Sequence, residues 1–134
     1  MLSKNEKVTQ PPGFKLLHTL RGHSSTVIQV AWSPDSTSIV SGSADMTAQV
    51  WVATTGHLLY TYHNPLGVVH AVAYSPKSGS SLIAVAGGTG YVQVADVASG
   101  ANAFFHRGQT GVINTVAWSP NGLRIASGGN DKTV

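Results

Sequence analysis

Cysteine is absent from this 134-residue chain, which excludes disulfides, thiolate catalysis and cysteine-ligated metal in one step. Charge is scarce too: eight Lys and Arg against five Asp and Glu give a formal net charge of +3. The basic residues stand singly, without the clustered stripe that a nucleic-acid or anionic-membrane surface requires. No apolar stretch approaches the ~20 residues of a membrane-spanning helix, and Met1 to Lys7 lead into no apolar run of the secretory type. From these absences we expect a soluble, cytoplasmic protein with no nucleic-acid and no membrane partner.

Turn formers and small apolar residues are what the chain does contain. Hydrophobic residues make up 42% of it, and 15 Gly and 6 Pro punctuate them, the composition of a globular, β-leaning chain. Self-similarity organises it. Ala31-Trp32-Ser33-Pro34, Ala73-Tyr74-Ser75-Pro76 and Ala117-Trp118-Ser119-Pro120 recur at intervals of 42 and 44 residues. Upstream lie Val27 to Val30, Val69 to Val72 and Ile113 to Val116; downstream lie Ile39 to Ser43, Leu82 to Gly88 and Ile125 to Gly129. Gln49-Val50-Trp51 answers to Gln93-Val94-Ala95, and Thr54-Thr55-Gly56 to Ala98-Ser99-Gly100. Such short β-branched and aromatic segments, bounded by Gly, Pro, Ser and Asp, predict four antiparallel strands per unit. A lone four-stranded sheet with two apolar faces cannot bury them, so the units must stack in series.

Arg21-Gly22-His23, Val30-Ala31-Trp32-Ser33-Pro34-Asp35, Ser41-Gly42-Ser43-Ala44-Asp45 and Val50-Trp51 together resemble one complete WD40 repeat. The resemblance implies an all-β fold, a partial β-propeller of antiparallel four-stranded blades with the third blade truncated. It divides the chain into a flexible extension over 1–14, a closing-type strand over 15–21, repeat one over 22–63, repeat two over 64–107 and the truncated repeat three over 108–134. Repeat two departs from the pattern with Pro65, Thr89 and Ala95 where repeat one has His23, Asp45 and Trp51; repeat three has Gln109 for His23.

Ser41, His23 and Asp45 are the residue types of a nucleophile, base and orienting carboxylate. The resemblance implies instead that His23, Ser41, Asp45 and Trp51 bond to one another inside the blade, so no enzyme activity is expected. The six histidines (His18, His23, His57, His63, His70 and His106) show no metal-ligand spacing, and Gly87-Gly88-Thr89-Gly90 lacks the helix and Lys-Ser/Thr pair of a phosphate loop. No metal or cofactor is expected. Trp32, Tyr74 and Trp118 recur once per unit, as residues packed between neighbouring sheets would.

Carried over from the family, the partner-binding face comprises Thr26, Ile28 and Ala44, then Val68, His70 and Gly88, then Val112, Asn114 and Asn130. This set is largely uncharged and suits a protein or peptide partner. The reading is a scaffold or adaptor; the alternatives are the propeller portion of a larger regulatory enzyme such as a kinase fused to these repeats, or a homo-oligomer closing one ring from several copies. Residues 132–134 are expected to begin a third strand.

Overall fold

Short alternating segments cut by Pro, Gly and Asx turns give only strands in the computed structural model, which describes residues 11–134. Blade one consists of β1 (Val27–Trp32), β2 (Ser38–Ser43), β3 (Thr47–Val52) and β4 (Leu58–His63). Blade two consists of β5 (Val69–Tyr74), β6 (Leu82–Gly87), β7 (Tyr91–Asp96) and β8 (Asn102–Arg107). Each is an antiparallel four-stranded meander in sequence order, while β9 (Ile113–Trp118) and β10 (Ile125–Gly129) pair as a two-stranded sheet. The all-β fold of antiparallel four-stranded blades is therefore as expected.

The turns repeat as faithfully as the strands. Asp35 Oδ1 accepts from the Thr37 amide at 3.0 Å and Asn121 Oδ1 from the Leu123 amide at 3.1 Å, so an Asx side chain closes the first hairpin of blades one and three. In the next turn Met46, Gly90 and Lys132 occupy equivalent places with φ of 66°, 79° and 66°. That left-handed conformation is free to glycine but strained for the other two.

The core lies between blades rather than within them. Alternation sends Ile83 and Val85 of β6 toward blade one, into a cluster with Val40, Val50, Tyr62, Val69 and Val72. Their neighbours Ala84 and Ala86 face the other way, into a second cluster with Ile113 and Val116 of β9. Tyr74 and Trp118 pack against these two clusters as expected, and the Trp118 indole N–H donates across the junction to the Ala73 carbonyl at 3.3 Å. Trp32 departs from that expectation. It is 59% exposed, because its side of blade one has no neighbouring sheet among the described residues.

Residues 15–21 form no strand ladder among the described residues, yet they take a recognisable place. His18 Nε2 pairs with the Thr54 carbonyl at 2.9 Å, and His18 and Leu20 flank Gly56. Across the next junction the Tyr60 hydroxyl of β4 donates to the Gly100 carbonyl at 3.4 Å and flanks Gly100. The segment thus lies against blade one as β4 lies against blade two. Of the extension expected over 1–14, residues 1–10 lie outside those described; Pro11 to Phe14 form a turn closed at 3.1 Å. Residues 132–134, expected to begin a third strand, form no ladder; the Gly129 amide reaches the Thr133 carbonyl at 3.4 Å.

Candidate functional site: the polar ties and the blade-end rim

Four side chains far apart in sequence converge on the face of blade one turned away from blade two. His23 Nδ1 meets Asp45 Oδ2 at 2.8 Å, His23 Nε2 meets Ser41 Oγ at 2.7 Å, and the Trp51 indole N–H donates to the same Oγ at 2.9 Å. Asp45 also accepts the Ser24 amide at 3.0 Å, the Thr47 amide at 2.9 Å and the Thr47 hydroxyl at 2.6 Å. Burial opposes the charge on Asp45, but the donors from Thr47, His23 and Ser24 outweigh it and hold the carboxyl well below its usual range. Distances alone would suit a nucleophile, base and carboxylate. Ser41 is nevertheless only 5% exposed, and its oxygen already receives an indole N–H. The arrangement ties the entry loop at His23 to β2, the β2–β3 turn and β3 at one point.

Repeat two closes the same region differently. Val85 and Ala95 stand where Ser41 and Trp51 do, buried in the junction with blade one. The polar tie moves to the Tyr62 hydroxyl, which donates to Gln93 Oε1, while Gln93 Nε2 donates to Asn64 Oδ1 at 2.7 Å and Asn64 Nδ2 to the Gly67 carbonyl at 2.8 Å. Sequence reading missed this network; the one signal was that Gln93 answers to Gln49. Leu20 takes the place of Tyr62 beside blade one, and Gln49 Oε1 is accordingly buried without a partner among the described residues. In repeat three Gln109 replaces His23. Its Nε2 donates to the Thr133 carbonyl at 2.8 Å and lies 3.4 Å from Asp131 Oδ1.

The nine residues of the expected partner-binding face assemble into three equivalent sets at one end of the blades. The Ala44 amide donates to the Thr26 carbonyl at 2.9 Å, Gly88 to Val68 at 3.2 Å and Asn130 to Val112 at 2.9 Å. The ladder register slips between Val27 and Gln29, between Val69 and Ala71, and opposite Gly128 and Gly129, so Ile28, His70 and Asn114 are the extra residues of three equivalent β-bulges. A bulge re-aims its side chain out of the strand's alternation. Ile28 and Asn114 are exposed and His70 half-buried, and Asn114 Nδ2 donates to Asn130 Oδ1. Among the described residues no three His, Asp or Glu side chains form a metal cage.

At the opposite end the β5–β6 loop of seven residues, against five in β1–β2, borders a groove of about 890 Å³ between blades one and two. Its carboxylate, Asp35, is drawn down to about 2 by hydrogen bonds from the Ser33 hydroxyl and the Thr37 amide and hydroxyl.

Residues 14–52 and 102–134 match the family described as "WD domain, G-beta repeat". The chain belongs to the WD40 repeat family. The stretch between the matched segments contains Pro65, Thr89 and Ala95, the residues at which repeat two abandons the polar tie. Among relatives, this WD40 chain is 33% identical over 113 residues to "Periodic tryptophan protein 2 homolog" of Dictyostelium discoideum, covering 83% of the chain and 12% of the relative. It is 34% identical over 110 residues to "WD repeat-containing protein slp1" of Schizosaccharomyces pombe, covering 81% and 22%. It therefore spans less than a quarter of the length of these two relatives. In three dimensions it resembles a chain of "Crystal Structure of Mitotic Checkpoint Complex", with TM-score 0.73, 33% identity, and 83% of this chain and 34% of that chain covered. A chain of "Structure of U3-55K" shares the fold at TM-score 0.65 and 24% identity, with 72% and 29% covered. Open partial-propeller geometry accords with these neighbours, and WD repeat proteins generally act as protein-interaction scaffolds.

Proposed function

We propose that this chain is a non-enzymatic scaffold segment that binds a protein or peptide through the rim at Thr26, Ile28, Ala44, Val68, His70, Gly88, Val112, Asn114 and Asn130. The observation that carries the reading is the bulge repeated at Ile28, His70 and Asn114. A ladder defect costs regular pairing, and its recurrence at one place in three blades supports a surface that the pairing alone does not require. The rim has no acidic or permanently cationic side chain, which suits an uncharged or weakly polar segment of the partner. The enclosed position of Ser41 supports a structural role for the His23 network rather than a catalytic one. A photo-crosslinking residue placed in turn at Ile28, His70 and Asn114 in cells tests the reading. Discrete adducts from all three, and none from Ser78 at the opposite end, are expected. Equal labelling from Ser78 would sink it.

A further inference from the structure

We infer that blade two carries a second docking point, an exposed Tyr91–Phe105–Arg107 cluster that takes an acidic, hydrophobic peptide segment. Gln93 points at blade one, since its Oε1 accepts the Tyr62 hydroxyl. Phe105 pairs directly with Gln93, and Arg107 with Tyr91 two residues earlier, so all four side chains share the face turned to blade one. Blade one is in place there, and Phe105 is still 51% exposed. The opposite face of β8, with Phe104 and His106, is turned away from blade one and carries no part of this inference.

The blade does not require these three residues. By register, blade one has Thr47 for Tyr91, Thr61 for Phe105 and His63 for Arg107. In blade two the Tyr91 and Phe105 rings meet at 4.5 Å between centroids, and the Arg107 guanidinium lies 5.7 Å from the Tyr91 centroid. Aromatic rings and arginine are the side chains from which binding hot spots are built. The tyrosine ring orders the guanidinium without occupying its fork of N–H donors. Arg107 is exposed and makes no ion pair among the described residues. Charge complementarity selects a carboxylate for that fork, and the adjoining rings select an apolar side chain next to it.

The test is an NMR titration of the full chain with acetyl-Asp-Leu-Phe-amide and with its acetyl-Asn-Leu-Phe-amide counterpart. The aspartyl probe should shift Tyr91, Phe105 and the Arg107 side chain, and should bind about tenfold more tightly than the asparaginyl probe, as expected for a charge-assisted pair. R107M should abolish that preference, R107K should keep part of it, and F105T should weaken both probes. Equal binding of the two probes, an unchanged preference in R107M, or shifts centred on Ile28, His70 and Asn114 would each overturn the inference. The comparison of the two probes on the unmodified chain decides the matter even if a variant fails to fold. The rim reading stands or falls separately, because its crosslinks come from other residues.

Discussion

At the scale of single residues, stability turns on which buried polar atoms are satisfied. Tyr62 is 4% exposed and its hydroxyl supplies Gln93 Oε1. Tyr62→Phe leaves that carbonyl buried and unpaired, so a loss of about 1–3 kcal/mol is expected in urea unfolding. Tyr60→Phe, which removes a long bond from a hydroxyl near the surface, should lie within about 0.5 kcal/mol of the parent. Asp45 makes a pH prediction. Its carboxyl in the folded chain sits below the ordinary value of 3.8, so the associated stability is fully present above ~pH 4 and is lost as pH falls through the folded value. The stability gap between the parent and Asp45→Asn should therefore be widest near neutral pH and shrink below ~pH 4; a gap independent of pH would refute the assignment. His23, Ser41, Asp45 and Trp51 were legible in the sequence through the resemblance to the WD40 repeat, which carries those four residues as a set. The Tyr62–Gln93–Asn64 network was not, because it spans two blades, and only a three-dimensional junction brings Tyr62 to Gln93.

Elements in this chain are specified by alternation and turn chemistry, and both are local, so the ten strands of the described residues follow the expected segments closely. The bulges were not readable as bulges. Ile28, His70 and Asn114 were expected on the partner-binding face, but nothing in Val-Ile-Gln-Val or Val-His-Ala-Val announces a slipped register; the partner strand sets it. Junction packing likewise depends on partners. A Cβ at Gly42 of β2 would lie 2.6 Å from Val69 Cγ1 and 3.0 Å from Val72 Cγ1, so blade two approaches blade one closely only because position 42 has no side chain. Gly42→Ala should overpack that junction and cost about 1–3 kcal/mol. Gly108→Ala, whose nearest contact would be His106 at an ordinary 3.6 Å, is the control and should be nearly silent in the same thermal melt. Similar losses in both would mean that glycine flexibility, rather than blade approach, controls the effect.

Considered as a whole, the molecule is a series of junctions, and its outer face on blade one resembles an interior. Val27, Val30 and Trp32 are exposed there, and Leu20, Val27, Val30, Ile39 and Trp51 line a hollow of about 130 Å³ over Ser41 and His23. The equivalent of Trp32 one blade on is Tyr74, which packs into a core; two blades on, Trp118 does so and donates its indole N–H to the preceding blade. Trp32 thus presents both an apolar surface and a donor to whatever sheet covers it, whether further blades or a second copy. A contiguous apolar surface of this kind drives association in water, and repeat arrays need their end faces covered for solubility. The purified chain should therefore show a molar mass that rises with concentration in size-exclusion chromatography with light scattering. Trp32→Glu combined with Val30→Lys should shift the population toward monomer. Neither side chain enters the core between blades one and two, so the far-ultraviolet β signature should persist. If the double variant associates as strongly as the parent, the sticky surface lies elsewhere. The edge of β10 that no described strand pairs would then be the next surface to block, since edge N–H and C=O groups can pair with another strand.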